Sequence, residues 1–351
     1  MASPWAKMVF VLACLSGILG IAQSAARSAE MTVIGDSTAL NPKIGIVGTL
    51  TGFLSSNPAA AGRNRFMLDE TEFNFSSIVD PYSRADIVAS FSGGAFSVEE
   101  GFLTLLALPG QWQARLGKLK ARFGKLNAVH AHEYPFIGVP IALSSLFGAD
   151  GWNSDGVEVS HQVPMGLADY SEVYVEMLHD NAVSFQAGAP SSILLTHWRN
   201  FWDVDGSAGI DTGLSWATGE NALQGTTNVY GVNANYKNWV DVDKILTVHG
   251  EWFLSQRQTP AGTISAPGAF GFAAYRPDRQ HEVGVLVDYG TSPTNNSITG
   301  RQEAAYISYL PSEFTRFRLQ AAHVRPLGGG SEVQAAVQVT FIMGPHRAHS
   351  Y

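Results

Sequence analysis

The sequence holds a single cysteine, Cys14, inside an apolar run near the N-terminus. Once that run is removed no thiol is left, which excludes disulfides and thiolate metal sites. Charge is also scarce. Asp, Glu, Lys and Arg make up 15% of the chain, less than a soluble surface normally carries. The formal net charge of −8 argues against a nucleic-acid partner. Beyond the N-terminal run, no stretch is apolar enough for a spanning helix. Any spanning structure must therefore be a closed sheet, because lipid offers no partners for open backbone edges.

The N-terminal run has the parts of a secretory signal. Lys7 gives a positive start, Met8 to Ile21 are apolar, and Ser24, Ala25 and Ala26 supply small residues for cleavage. The run is shorter than the ~20 residues of a spanning helix. A signal peptide over 1–26 is expected, followed by an N-terminal segment over 27–42. Val11-Leu12-Ala13-Cys14 loosely resembles a lipoprotein acceptor, but Leu15 to Ile21 continues the apolar run past it. Cys14 is therefore read as filler.

What the chain has in quantity is glycine (36), phenylalanine (19), tyrosine (11) and tryptophan (8). A wall facing lipid needs little charge and places aromatics at both interfaces. Period-2 alternation runs through almost all of the chain after Asn41. Val333, Ala335, Val337, Val339 and Phe341 alternate with Gln334, Ala336, Gln338 and Thr340. Val283, Val285 and Val287 alternate with Glu282, Gly284 and Asp288; Phe317 and Leu319 oppose Arg316, Arg318 and Gln320. A β-sandwich would alternate too. The segments here, however, approach the ~9–11 residues that cross a membrane rather than the ~5–6 of soluble strands.

The expected fold is all-β: a transmembrane, antiparallel, up-and-down β-barrel of about sixteen strands over 43–343. Strands are predicted near 43–54, 66–79, 82–92, 96–108, 111–123, 155–165, 170–180, 191–202, 208–218, 225–237, 243–257, 266–276, 280–290, 301–310, 314–323 and 332–343. Tight turns at Asp80-Pro81, Pro109-Gly110, Pro277-Asp278 and Pro311-Ser312 should alternate with longer loops on the other rim. Lys125 to Trp152 is too long for a hairpin connection. It is apolar at Phe136, Ile137, Val139, Ile141, Leu143, Leu146 and Phe147. An exposed loop of that kind would be a sticky patch, so it is expected inside the lumen as a constriction.

Arg115 to Phe136 reads RLGKLKARFGKLNAVHAHEYPF. This stretch resembles the phosphate-selective (O/P-type) porins and related uncharacterised outer-membrane proteins. There, a Gly-Lys-x-Lys strand runs into a Phe-Gly turn and an inserted Pro-Phe loop. Some of those relatives are labelled zinc-regulated and end in a His-containing tail. The resemblance implies a channel of sixteen to eighteen strands in a Gram-negative outer membrane, commonly a homotrimer. It does not transfer a substrate, since no regular arginine ladder is present. A plugged receptor of twenty-two strands is excluded by length.

Three groups of site residues follow. On strand parity Arg115, Arg316, Arg318, Glu70, Glu72, Glu100, Glu158 and Glu251 point inward, where opposed charges would line a pore and set ion preference. Lys118, Lys120 and Arg122 fall on the other parity, at the rim or beyond a bulge. His130 and His132, with His346 and His349 of the tail over 344–351, could form a zinc site. Catalysis is not expected: Ser160, His161 and His197 are scattered, and no G-x-S-x-G occurs.

The expected function is passive diffusion of small hydrophilic solutes or ions, without a cofactor. The partners are the lipid bilayer and the outer-membrane assembly machinery, which would read Phe341 or Tyr351 as a terminal aromatic. Two alternatives stand beside it: a zinc-linked barrel using the histidines, and a filled barrel acting as a scaffold for partners.

Overall fold

The structure is a computed structural model that describes residues 42–60, 62–164, 166–179, 182–185 and 192–344. The expected signal peptide and the tail with His346 and His349 lie outside the described residues. The first strands are β1 (Lys43–Ser55), β2 (Arg65–Asp80), β3 (Ser83–Ser92), β4 (Ala95–Leu105), β5 (Trp112–Lys120) and β6 (Asn153–Gln162). Next come β7 (Tyr170–His179), β8 (Ser192–Val204), β9 (Ala208–Glu220), β10 (Thr226–Asp241) and β11 (Lys244–Thr259). The last are β12 (Gly262–Arg276), β13 (His281–Ser292), β14 (Asn295–Ser312), β15 (Thr315–Arg325) and β16 (Glu332–Met343).

Each strand pairs with its neighbours in sequence, and β1 pairs antiparallel with β16, so the sheet closes into a sixteen-strand barrel. Closure leaves no unpaired edge, as hydrocarbon requires. The alternation read from the sequence decides which face is which. Val283, Val285 and Val287 are exposed on the outside, as are Phe317, Leu319, Val333 and Val337, while Asp288, Arg318, Gln320 and Gln338 are buried inside. Exposed aromatics gather near the rim where β1 starts and β16 ends, the terminal rim: Tyr82, Trp112, Trp239, Tyr275 and Tyr309. Phe66, Phe91 and Phe96 lie towards the other rim. An apolar wall with aromatic bands at two heights is the form a bilayer selects.

Two details differ from expectation. The turn foreseen at Pro311-Ser312 falls two residues later, because a register shift between Tyr309 and Ser312 absorbs Leu310 and Pro311 into β14. A proline cannot donate to the ladder, and a bulge removes the demand. The rims are also less unequal than foreseen: connections at 93–94, 260–261 and 293–294 are as tight as those on the terminal rim. Chain length on that side is concentrated in 56–64, 121–152 and 180–191.

Lys118, Lys120 and Arg122 were expected at the rim or beyond a bulge; β5 keeps an unbroken register with β4 and β6, so no bulge separates Arg115 from Lys118 and Lys120. Gly117 has φ 135, and a Cβ there would lie 2.2 Å from the Gly101 carbonyl oxygen. Lys118 then pairs across from Asp155 and donates to the Val98 carbonyl. Lys120 reaches Asp150, and Arg122 lies past the end of the strand, where it bonds Glu158.

Val285→Arg places a charge on the lipid face and is expected to cost about 2–4 kcal/mol near mid-depth, with reduced assembly. Thr247→Arg, on the inward face of β11, should assemble normally. Urea titrations of both refolded variants measure the difference, and equal behaviour would refute the assigned faces.

Candidate functional site: the lumen and its inserted segment

The site is the barrel interior, and the segment 121–152 occupies it. At its neck, Ala121 N–H donates to the Trp152 carbonyl at 2.9 Å. The Asn127 side chain bonds both ends: its amide reaches Ala121 and Trp152 carbonyls, and its oxygen accepts Trp152 N–H at 2.7 Å. The segment enters the barrel over Glu251. One carboxylate oxygen there accepts the N–H groups of Lys125 at 3.1 Å and Leu126 at 2.7 Å and lies 2.9 Å from His249 Nε2. Gly124 has φ 67, and a Cβ there would sit 1.9 Å from the other Glu251 oxygen. Only glycine permits that approach.

From this entry the segment crosses to the far wall. Arg316 donates to the His132 carbonyl. Arg318 donates to the carbonyls of Tyr134 at 2.9 Å and Phe136 at 3.1 Å. Gln320 pairs with both the N–H and the carbonyl of Ile137, as a neighbouring strand would. A short helix, α1 (Ile141–Phe147), follows. Its first amides, Ile141 and Ala142, donate to the Asp288 carboxylate of β13. A wall residue thus supplies the acceptor that a helix start otherwise lacks.

Apolar packing fills the lumen towards the rim opposite the start of β1 and the end of β16. Phe123, Phe147, Trp152, Phe185 and Phe253 are fully buried together with Leu143, Leu146, Leu178, Ile193 and Leu195. Phe147 stacks on Trp152 at 5.2 Å, and Phe185 approaches Trp152 at 5.6 Å. Phe185 comes from the β7–β8 connection, which the sequence reading had not linked to the lumen. Its only signal was a lone aromatic in a connection of mostly small residues.

Towards the terminal rim the interior is open and carries both charged and apolar side chains. A cavity of about 240 Å³ is lined there by Lys125, Lys237, Arg276 and Arg316, by Glu133 and Glu282, and by apolar residues including Tyr134 and Phe272. Lys125 Nζ also meets Asp211 at 3.3 Å. Burial lowers the Lys125 pKa, against the pull of Asp211.

The residues predicted to line a pore do face inward, but most meet the segment or each other. Arg115 pairs with Glu158, with its Nε at 2.6 Å, and both are buried. Arg318 and Glu251 are almost wholly buried and bonded to the segment as described. Arg316 reaches the cavity. Glu70 is half-buried. Glu72 and Glu100 meet His130, whose Nδ1 lies 3.0 Å from Glu72 and 3.1 Å from Glu99 and whose Nε2 lies 3.0 Å from Glu100. Burial disfavours a charged His130, but these three carboxylates outweigh it and hold its pKa well above the ordinary value. His132 packs beside it, with ring centroids 5.8 Å apart. Of the four histidines grouped from the sequence, the structure brings together these two.

Among the scattered catalytic candidates, His197 Nδ1 lies 2.8 Å from Ser215 Oγ. That oxygen also accepts the Gly124 N–H at 2.9 Å. The pair is buried under the segment and helps to hold it.

No protein-family model matches the chain. An uncharacterised protein of Aquifex aeolicus (strain VF5) is 24% identical, over 82% of this chain and 70% of that protein. Among solved structures, OprB of Pseudomonas putida superposes with a TM-score of 0.59 at 9% identity, covering 86% of this chain and 94% of that one. The anion-selective porin of Comamonas acidovorans gives 0.58 at 14% identity, covering 86% and 98%. The outer-membrane channel DcaP of Acinetobacter baumannii gives 0.58 at 11%, also covering 86% and 98%.

Asp288→Ala removes the acceptor at the start of α1 and is expected to cost about 0.5–2 kcal/mol. Hydrogen exchange should show faster loss of protection in α1 while the β-strands keep theirs. Protection unchanged in α1 would mean that its apolar face alone holds it. The fold is that of the outer-membrane porins: a closed, membrane-spanning, sixteen-strand barrel.

Proposed function

We propose that this chain is a Gram-negative outer-membrane channel that passes small hydrophilic solutes or ions by passive diffusion, with the segment 121–152 as its constriction. The observation that carries the reading is the segment itself. It is held across the lumen by hydrogen bonds to β9, β11, β13 and β15, and it leaves a cavity with charged side chains in its lining on the terminal side. Passage is then limited by the space beside the segment and by the charge of its lining. Four cationic side chains against two carboxylates around the cavity favour small anions. The likeness to an anion-selective porin and to an outer-membrane channel supports the same class.

One observation favours a second reading, a filled barrel that serves as a scaffold. The apolar cluster around Phe147 and Trp152 is fully buried against wall residues such as Leu178, Ile193, Leu195 and Phe253.

Planar-bilayer recordings separate the two. The wild-type barrel should show small, stable conductance steps with an anion-preferring reversal potential in a salt gradient. Replacing 134–147 by a short Gly-Ser linker should raise the conductance several-fold. Wild-type protein that is folded but silent, with conduction only after the replacement, would support the scaffold instead.

Lys237→Glu alters one cavity lining residue without touching the segment's anchors. It should move the reversal potential towards cations. An unmoved potential would mean that ions do not pass this cavity.

A further inference from the structure

The group around His130 has no part in the channel reading. Its position depends on two irregularities of the wall. In β4 the register passes from Val88↔Glu100 to Ala89↔Val98, so Glu99 is an extra residue. Consecutive strand residues point to opposite faces. The bulge lets Glu99 and Glu100 both reach His130. In β2 the register passes from Thr49↔Glu70 to Leu50↔Leu68, with Asp69 as the extra residue. Glu70 and Glu72 then continue on the inner side.

The result is a compact set of donors. One donor atom each from Glu72, Glu99 and His130 lie within 4.8 Å of one another. Glu72 is 2% exposed, and its Oε2 has no hydrogen-bond partner. That oxygen is aimed at two ring nitrogens, His130 Nδ1 at 3.0 Å and His132 Nδ1 at 3.4 Å. On the other side of the imidazole, Nε2 is 3.0 Å from Glu100. When a metal cation displaces the Nδ1 proton to solvent, the hydrogen donated from Nε2 to Glu100 keeps the resulting Nδ1 lone pair facing Glu72 and Glu99. Carboxylates behind metal-bound histidines act in this way. The cation would then take over from the proton as the positive centre between Nδ1 and the two carboxylate oxygens, which in a buried site repel one another without one.

We propose that Glu72, Glu99 and His130, with His132 alongside and Glu100 orienting His130, bind a divalent transition cation of the zinc class. Zinc takes imidazole nitrogen and carboxylate oxygen at about 2.0–2.2 Å, which sets neighbouring donors roughly 3–3.5 Å apart. The separations of 3.0 and 3.1 Å around His130 Nδ1 need little adjustment. The donors join the segment to β2 and β4, so the cation would pin the middle of the segment to the wall. The tail histidines are not required.

Isothermal titration of the full-length, refolded barrel with zinc, after chelator treatment and its removal, tests this at mildly alkaline pH. One zinc per barrel is expected, with a raised melting temperature. Glu99→Gln and His130→Ala should each weaken binding at least 100-fold, and Glu100→Gln about 10–100-fold, as for orienting partners. Glu303→Gln, at the exposed pair with His323, should bind like the wild type. Truncation after Gly344 should leave the stoichiometry unchanged, and loss of zinc on truncation would overturn the site. Failure of the wild type to bind, or undiminished binding by Glu99→Gln and His130→Ala, would overturn it too. Should the variants not fold, copper(II) bound to the wild type gives an independent reading. Its electron paramagnetic resonance spectrum should show imidazole nitrogen coupling, and a spectrum with oxygen ligands only would exclude His130.

Discussion

Every strand of this molecule obeys the demand that no backbone N–H or carbonyl be left bare in hydrocarbon. A single antiparallel sheet meets that demand only by joining its last strand to its first, and β16 pairs with β1 over Ile46 to Ser55. Closure at sixteen strands has a price inside. The ring is too wide for wall side chains to meet across it, so the interior must hold water, a partner or more of the chain. Here it holds more of the chain.

That choice sets the electrostatics of the interior. Residues such as Arg318, Glu251 and Asp288 would be solvated in an open lumen. Here they are buried, and a buried charge is tolerated when hydrogen bonds replace its water. The segment supplies them from its backbone: carbonyls of Tyr134 and Phe136 for Arg318, amides of Lys125 and Leu126 for Glu251, amides of Ile141 and Ala142 for Asp288. The wall therefore satisfies an irregular strand that has no sheet of its own, and the strand satisfies charges that have lost their solvent. Aromatic packing around Trp152 adds the non-directional part.

The barrel was legible because lipid on one side and a polar interior on the other write the strand period directly into residue type. Val285, Val337 and Phe317 announce their faces without reference to any neighbour. The lumen placement of 125–152 was also legible, from length and apolar content. The partners were not. Gln320 and Ile137 meet across 183 positions, and no local pattern encodes such a meeting. Glu99 was missed for a different reason: strand parity places it opposite Glu100, and only the bulge makes both reach His130. A double glutamate after an alternating run, Ser97-Val98-Glu99-Glu100, is the trace that the irregularity leaves in the sequence.

The distance along the chain between the segment and its far wall has a kinetic side. The β5–β6 neck, closed by Ala121 and Trp152, can form early from local contacts. Asp288, Arg318 and Gln320 arrive only when the last strands are laid down. Long-range pairings are slow because the chain entropy must be lost before the contacts form. Until then the surface that α1 turns to β13 has no wall to rest on, and uncovered apolar surface invites association with other chains. A barrel stalled before its thirteenth strand is thus its most aggregation-prone form, and the final closure of the ring also completes its interior.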